Sequence, residues 1–207
     1  MRLPAPALLL VTDRRQARLP LAEIIEQACA AGCRWISLRE KDLSKREQLA
    51  MFESLRATIQ KYGVRATIHG SAEFAKSAAA AGVHLPAGTD PTAARATLGR
   101  DALIGLSVHS PAELDDVTPG TIDYAVAGPA YETASKPGYG PALGPKGIAA
   151  IAAVSDVPVI AIGGVVPQNA SDLITAGAAG IAVMGSVMRS AAPEQEILQL
   201  LDALSAR

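Results

Sequence analysis

Residues 159–186 read V-I-A-I-G-G-V-V-P-Q-N-A-S-D-L-I-T-A-G-A-A-G-I-A-V-M-G-S, and they predict two buried parallel strands. Each apolar run stops at a pair of small residues, Gly163-Gly164 and Gly185-Ser186. Glycine leaves the backbone N–H groups uncovered, so a phosphate oxygen can approach them, and a following helix adds its positive N-terminal end. These four residues therefore predict a phosphate site, although glycines also end short strands that bind nothing.

Strand and helix patterns alternate along the rest of the chain. The predicted strands cover residues 8–12, 35–39, 66–68, 83–85, 103–107, 124–127, 159–162 and 181–184. The predicted helices cover residues 21–31, 45–61, 72–81, 91–98, 111–116, 146–154, 168–176 and 193–205. Eight such units predict a single (β/α)8 TIM barrel, one domain over residues 1–207, in which the loops after strands 7 and 8 hold phosphate. A doubly wound open sheet is the alternative, because the sequence does not reveal strand order.

The tripeptide A-A-G recurs at three of the predicted helix-to-strand joints. A residue with positive φ commonly ends a helix, and glycine adopts that conformation without steric cost. We therefore expect a left-handed backbone at the three glycines of these joints, Gly32, Gly82 and Gly180.

The composition fits a parallel barrel and gives no support for a protein that binds nucleic acid or a membrane. Hydrophobic residues make up 49% of the chain and aromatics only 3%, as in a barrel filled by branched aliphatic side chains. A formal net charge of -1 provides no field that would collect nucleic acid or an anionic membrane. With no signal peptide and no apolar run of about 20 residues, we expect a cytoplasmic protein, with a homo-oligomer left open.

The two cysteines, Cys29 and Cys33, are four residues apart. No cluster of further cysteine or histidine residues accompanies them, so a zinc site is not expected. We predict that both pack as small buried hydrophobic residues.

In a barrel, side chains at the C-terminal ends of the strands face one shared mouth. Three cations, Arg39, Lys41 and Lys136, are predicted there in a chain with no net positive charge, so the site is expected to take more than one phosphate-like charge. Alternating charge at residues 39–42 is also typical of a solvated strand end. The polar neutral or titratable residues expected at the same mouth are His69, Ser107, His109 and Thr133, whereas His84 is expected in the core.

The segment 128–145, G-P-A-Y-E-T-A-S-K-P-G-Y-G-P-A-L-G-P, is too long for an ordinary strand-to-helix turn. Loops of this length are either functional lids or disordered, and this one carries polar residues between glycines and prolines. We predict that this loop covers the mouth of the barrel.

Four motifs in chain order resemble the thiamine phosphate synthase/TenI superfamily. They are L-R-E-K-D at residues 38–42, S-V-H-S at 107–110, G-P-A-Y-E-T-A-S-K at 128–136 and A-I-G-G-V at 161–165. The resemblance implies a barrel whose synthase members join a hydroxymethylpyrimidine diphosphate to a thiazole phosphate. In those enzymes diphosphate leaves first, and the thiazole nitrogen captures the resulting pyrimidine carbocation.

The resemblance also implies roles for individual residues of this chain. Arg39 and Lys41 match diphosphate contacts, and Ser107 and Lys136 match polar groups of the active site. The residues that match the thiazole phosphate site are Thr133, Gly163, Gly164, Gly185 and Ser186.

The chain departs from the synthase pattern where that pattern binds Mg²⁺. His69-Gly70 stands in place of Asn-Asp after strand 3, and the run P-A-G-T-D after strand 4 offers only Asp90, one residue out of register. Neutralising a leaving diphosphate with Mg²⁺ requires carboxylates, so we expect no metal or other cofactor unless Asp90 substitutes for the missing pair.

These departures favour the TenI branch, whose members aromatise a thiazole carboxylate phosphate by proton transfer. The tautomerase histidine of strand 6 is Pro129 here, and we hypothesise that His69 carries the proton instead. The alternative is that His69 only hydrogen-bonds the pyrimidine or a loop carbonyl. The leading expectation is thus a TenI-like protein that binds thiazole phosphate or thiamine phosphate and catalyses metal-free proton transfer. The alternatives are a working thiamine phosphate synthase, a non-catalytic regulatory binder of thiamine phosphate, or another phosphate-binding barrel enzyme.

Overall fold

A computed structural model of the chain describes residues 3–135 and 140–205. Eight parallel strands close into one barrel in chain order, with the last strand beside the first. The strands are β1 (Leu8–Val11), β2 (Trp35–Leu38), β3 (Arg65–His69), β4 (Gly82–Leu85), β5 (Leu103–Val108), β6 (Tyr124–Ala127), β7 (Val159–Ile162) and β8 (Gly180–Val183). The predicted (β/α)8 barrel is therefore confirmed, and the open sheet is wrong.

Helices surround this barrel. They are α1 (Leu21–Ala30), α2 (Lys45–Ser54), α3 (Arg56–Lys61), α4 (Ala72–Ser77), α5 (Thr92–Leu98), α6 (Gly144–Val154), α7 (Pro167–Thr175), α8 (Gly185–Met188) and α9 (Pro193–Ser205). Two 3-10 turns, Arg14–Gln16 and Pro111–Leu114, follow β1 and β5. None of the helices in the described ranges is long and apolar enough to cross a membrane.

Three predicted helices differ from those of the structure. Residues 45–61 form α2 and α3 rather than one helix, because the Leu55 N–H is shared between the carbonyls of Met51 and Phe52 in a mixed turn. The helix predicted over 72–81 stops at Ser77, and the one predicted over 111–116 is a 3-10 turn. The one-turn helix α8, directly after β8, was not predicted.

The A-A-G joints are only partly as predicted. Gly32 has the expected positive φ of 111°, but at the other two joints the left-handed residue lies three positions earlier, at Ala79 (φ 48°) and Gly177 (φ 100°). Gly82 and Gly180 belong to β4 and β8, where a Cβ atom would collide with the backbone carbonyl of a neighbouring segment. These two glycines therefore permit close strand packing instead of ending helices.

The interior of the barrel is filled by side chains on alternate positions of the strands. Trp35 and Tyr124 are fully buried there and meet edge to face, with ring centroids 4.7 Å apart. Aliphatic residues complete this inner core: Leu9, Val11, Leu103, Val126, Ile160 and Ala182. A larger aliphatic core lies between the barrel and its helices and includes Cys29 and Cys33, both buried as predicted. Burial raises the pKa of the Cys33 thiol to about 11.

Gly105 of β5 makes room for the Tyr124 ring, since a Cβ at this position would lie 2.5 Å from the phenolic oxygen and closer still to ring carbons. We expect Gly105→Ala to lower the free energy of unfolding by about 1–3 kcal/mol, because the buried ring has to shift in a packed core. Urea denaturation measures this loss. Combining Gly105→Ala with Tyr124→Leu should cost less than the sum of the two single changes; strict additivity would contradict the contact.

Candidate active site

A cavity of about 910 Å³ opens at the C-terminal ends of the strands. Its lining includes nine of the residues that the sequence analysis selected: Arg39, Lys41, His69, Ser107, Thr133, Gly163, Gly164, Gly185 and Ser186. His109, also expected at the mouth, lines the cavity as well, and Lys136 lies outside the described residues. The first part of the long loop, from Gly128 to Ser135, also lines the cavity, which places this described part at the mouth as predicted.

The loop after β7 offers backbone N–H groups to the cavity. Gly163 and Gly164 have φ values of 101° and 62°, and the Asn169 side chain binds the Gly164 carbonyl at 3.0 Å. Within the described parts of the chain, the N–H groups of Gly164 and Val165 have no hydrogen-bond acceptor. These two donors are therefore available to an anion in the cavity.

Besides its positive φ, the close packing of two loops also requires glycine at position 164. A Cβ there would lie 2.8 Å from the Cβ of Tyr131 and would collide with the Glu132 carbonyl. We infer that Gly164 lets the long loop after β6 approach the loop after β7. A larger side chain at this position would displace the long loop, in addition to any effect on a bound anion.

The loop after β8 leads directly into α8, so Gly185 and Ser186 form the first turn of that helix. The Ser186 hydroxyl is buried and has no hydrogen-bond partner among the described residues. A buried hydroxyl without a partner costs free energy unless a ligand satisfies it. This side of the cavity therefore has the donors that an oxyanion needs.

Arg39 and Lys41 follow β2, which lies on the side of β1 away from β8. They place two positive charges at that side of the cavity. The Arg39 N–H binds the Thr12 hydroxyl at 2.9 Å, which fixes the start of their loop. The Arg39 charge, with partial burial, lowers the pKa of Lys41. No carboxylate in residues 3–135 or 140–205 lies within 4.0 Å of either cation. The intervening Glu40 is buried and instead accepts the Arg14 N–H with both oxygens, at 3.1 and 3.2 Å.

Two histidines and a serine lie at the floor of the cavity. The rings of His69 and His84 are 4.5 Å apart, and His84 Nε2 lies 2.8 Å from Ser107 Oγ. Burial, and then the nearby Arg39 charge, lowers the pKa of His84 to about 3, so this imidazole is neutral at physiological pH. His84, expected in the core, is buried and also lines the cavity.

The remaining polar residues at the mouth have partners of their own. His109 lines the cavity, and its Nδ1 lies 3.3 Å from a Glu113 carboxylate oxygen. The Thr133 hydroxyl accepts the Ser135 N–H at 3.3 Å, which shapes the loop after β6.

Comparison with known proteins identifies the family. The model of the thiamine monophosphate synthase family matches residues 8–187. A thiamine-phosphate synthase of Azorhizobium caulinodans is 37% identical over 190 residues, covering 91% of this chain and 89% of its own. One from Mycobacterium tuberculosis is 35% identical and covers 99% and 97%. The structure of a thiamine phosphate pyrophosphorylase from Pyrococcus furiosus superimposes with a TM-score of 0.84, at 27% identity, covering 96% and 95%.

The chain belongs to the thiamine monophosphate synthase family. The names of these relatives support the synthase alternative raised from the sequence better than they support the tautomerase-like function.

The side chains of this member do not fit the family's magnesium site. The Asp90 carboxylate accepts the Thr92 N–H at 2.9 Å at the start of α5, and Asp90 does not line the cavity. The carboxylates that do line it, in the part of the chain described, are those of Glu40 and Glu132. Glu40 is already bound by Arg14 N–H, and no group of three or more metal-ligating side chains occurs within the described ranges.

Proposed function

We propose that this protein is a thiamine phosphate synthase that neutralises its leaving group with side-chain cations. The observation that carries the proposal is that two separate groups of residues suited to bind anions line one cavity. Arg39 and Lys41 form one, and the loops after β7 and β8 form the other. A ligand with a single phosphate would leave one region empty, whereas a pyrimidine diphosphate and a thiazole phosphate together would occupy both. The names of the relatives agree with this assignment.

In the proposed reaction, the bond between the exocyclic methylene carbon of the pyrimidine and the diphosphate oxygen breaks first. Its electron pair leaves with the diphosphate, whose added charge the Arg39 guanidinium and the Lys41 ammonium stabilise. The lone pair of the thiazole nitrogen then forms the new C–N bond to the methylene cation. The products are thiamine phosphate and diphosphate, and no proton needs to be transferred.

The proposed thiazole phosphate site consists of the N–H groups of Gly164 and Val165 together with the first turn of α8. Thr133 is proposed as a further ligand from the loop after β6. Because the barrel holds both regions fixed, the thiazole nitrogen can be positioned against the methylene carbon before the first bond breaks, which lowers the entropic part of the barrier. Ser107, whose Oγ lies 2.8 Å from His84 Nε2, is proposed as a polar contact to the reacting groups.

One observation favours a second candidate, the metal-free proton transfer of a tautomerase. His69 lines the cavity at the end of β3, and an imidazole is suited to accept and donate a proton near neutral pH. The carboxylates of the family's metal site are missing at the same place. This candidate requires only the thiazole phosphate region and leaves Arg39 and Lys41 without a function.

The test is to incubate the purified protein with both proposed synthase substrates, with and without a chelator, and to quantify thiamine phosphate and diphosphate by chromatography. We expect both products in equal amounts, and formation that continues in the presence of chelator. If the chelator abolishes thiamine phosphate formation, side-chain cations alone do not neutralise the leaving diphosphate, but the protein is still a synthase. Absence of product, together with tautomerisation of thiazole carboxylate phosphate that falls by about 10²- to 10⁴-fold in His69→Gln, would instead establish the second candidate.

A further inference from the structure

We infer that Arg189 binds the phosphate group of thiazole phosphate on the β8 side of the cavity. This inference rests on the proposed function. Arg189 follows α8 directly, and its N–H binds the Gly185 carbonyl at 3.1 Å. Its side chain lines the cavity. A guanidinium at this point would add charge to a phosphate site otherwise formed by neutral backbone and hydroxyl groups.

The guanidinium folds back over the first residue of α8. Both its Nη atoms occupy the space where a Cβ of Gly185 would stand, and the Ser135 hydroxyl lies 2.5 Å from the same point. Gly185 therefore provides room for the arginine head group. As a result, the charge lies next to the loop after β8, on a side chain that remains exposed to solvent.

Neutral groups hold this guanidinium in place. Its Nη1 donates to the Gln16 side-chain oxygen and, at 3.2 Å, to Ser135 Oγ. Ser135 Oγ donates to the same Gln16 oxygen at 2.9 Å, and the Gln16 amide nitrogen is bound by Asp13 at 2.7 Å. Loops after β1, β6 and β8 are thus joined at one point, which lowers the entropy that Arg189 would lose on binding a ligand.

The charge of Arg189 remains uncompensated by these contacts. Across residues 3–135 and 140–205, no carboxylate lies within 4.0 Å of the guanidinium, and its Nε and Nη2 have no acceptor. A guanidinium that keeps donors available is suited to bind two oxygens of a phosphate in parallel. A phosphate monoester dianion is therefore the ligand group that fits.

The test is isothermal titration calorimetry of thiazole phosphate and of the corresponding alcohol with the full-length protein. For Arg189→Gln we expect the Kd of thiazole phosphate to rise about 10- to 100-fold, as for the loss of a charged hydrogen bond, and the Kd of the alcohol to stay unchanged. Arg189→Lys should lose less, because lysine keeps the charge but not the two-pronged geometry. The matched control is Arg46→Gln on α2, an exposed arginine outside the cavity, which should bind both compounds like the wild type.

The outcomes separate this inference from the proposed function. If wild type prefers the phosphate over the alcohol and Arg189→Gln binds both compounds like wild type, Arg189 is not a ligand, while the phosphate site stands. If wild type binds both compounds equally, the phosphate site itself is wrong and the inference fails with it. Should circular dichroism show that Arg189→Gln is unfolded, Arg189→Lys decides: a selective loss of phosphate affinity supports the inference, and wild-type affinity overturns it.

Discussion

Replacing Arg39 with glutamine is expected to lower the kcat for thiamine phosphate formation by about 10²- to 10³-fold, the usual cost of removing one positioned donor from a developing negative charge. Arg39 lines the cavity and has no carboxylate partner in the described residues, so its charge is available to the leaving diphosphate. Its backbone, anchored to Thr12 at 2.9 Å, holds that charge in place as the C–O bond breaks. Steady-state kinetics with both substrates measure the effect.

The control for this prediction is Arg46→Gln, which removes the same charge from the exposed face of α2 and should leave kcat unchanged. Lys41→Gln should lose less than Arg39→Gln, because Lys41 is exposed and offers its charge from a flexible stem. A kcat for Arg39→Gln equal to that of wild type would show that other groups neutralise the diphosphate. An increase confined to KM would show that Arg39 binds the substrate and the transition state equally.

The barrel was predictable because its signal is local and repeated. Each strand is a short branched-aliphatic run, and each parallel strand requires a crossover helix, so eight repeats leave few topologies. The A-A-G joints show the limit of the same argument. A glycine at a joint can serve the turn, as Gly32 does, or the packing of adjacent strands, as Gly82 and Gly180 do. Only the three-dimensional neighbours distinguish these uses.

The candidate site was predictable at the strand ends but not between loops. A barrel brings the carboxyl ends of all strands together. The positions of Arg39 and Ser107 at the mouth therefore follow from their places at the ends of predicted strands. The contacts of Arg189 do not, because its partners Ser135 and Gln16 are 54 and 173 residues away in the chain. Side-chain contacts between loops leave no periodic pattern in the sequence.

The burial of His84 was predicted, but its place at the cavity floor was not. Its position inside an apolar strand indicates burial, and the side chain is indeed buried. Strand alternation also places it on the inward face, level with His69 in the neighbouring strand. The inner end of a barrel strand can be both core and cavity floor, and the register that sets His84 beside His69 is not visible in the sequence.

The same burial leads to a large expected effect of pH on stability. The pKa of His84 is about 3 in the folded protein and about 6.5 in the unfolded chain. Between these values the unfolded state binds a proton that the folded state does not, so stability falls as pH falls through this window. Each full pH unit of this window is worth about 1.4 kcal/mol. Because the unfolded imidazole is already half protonated at pH 6.5, the loss between pH 6.5 and 4.5 is about 2 kcal/mol.

His84→Gln is expected to remove this pH-dependent loss, because glutamine has a similar polar end and does not titrate. Urea denaturation of both proteins at pH 6.5 and 4.5 measures the difference, and the titration of surface carboxylates cancels in the comparison. Ser107→Ala is the matched control: it deletes the hydrogen-bond partner at 2.8 Å but leaves the imidazole buried, so it should keep the loss seen in wild type. If His84→Gln and wild type lose the same free energy on acidification, the imidazole is not held neutral by burial. The hydrogen bond to Ser107 would then have to be explained with a charged ring.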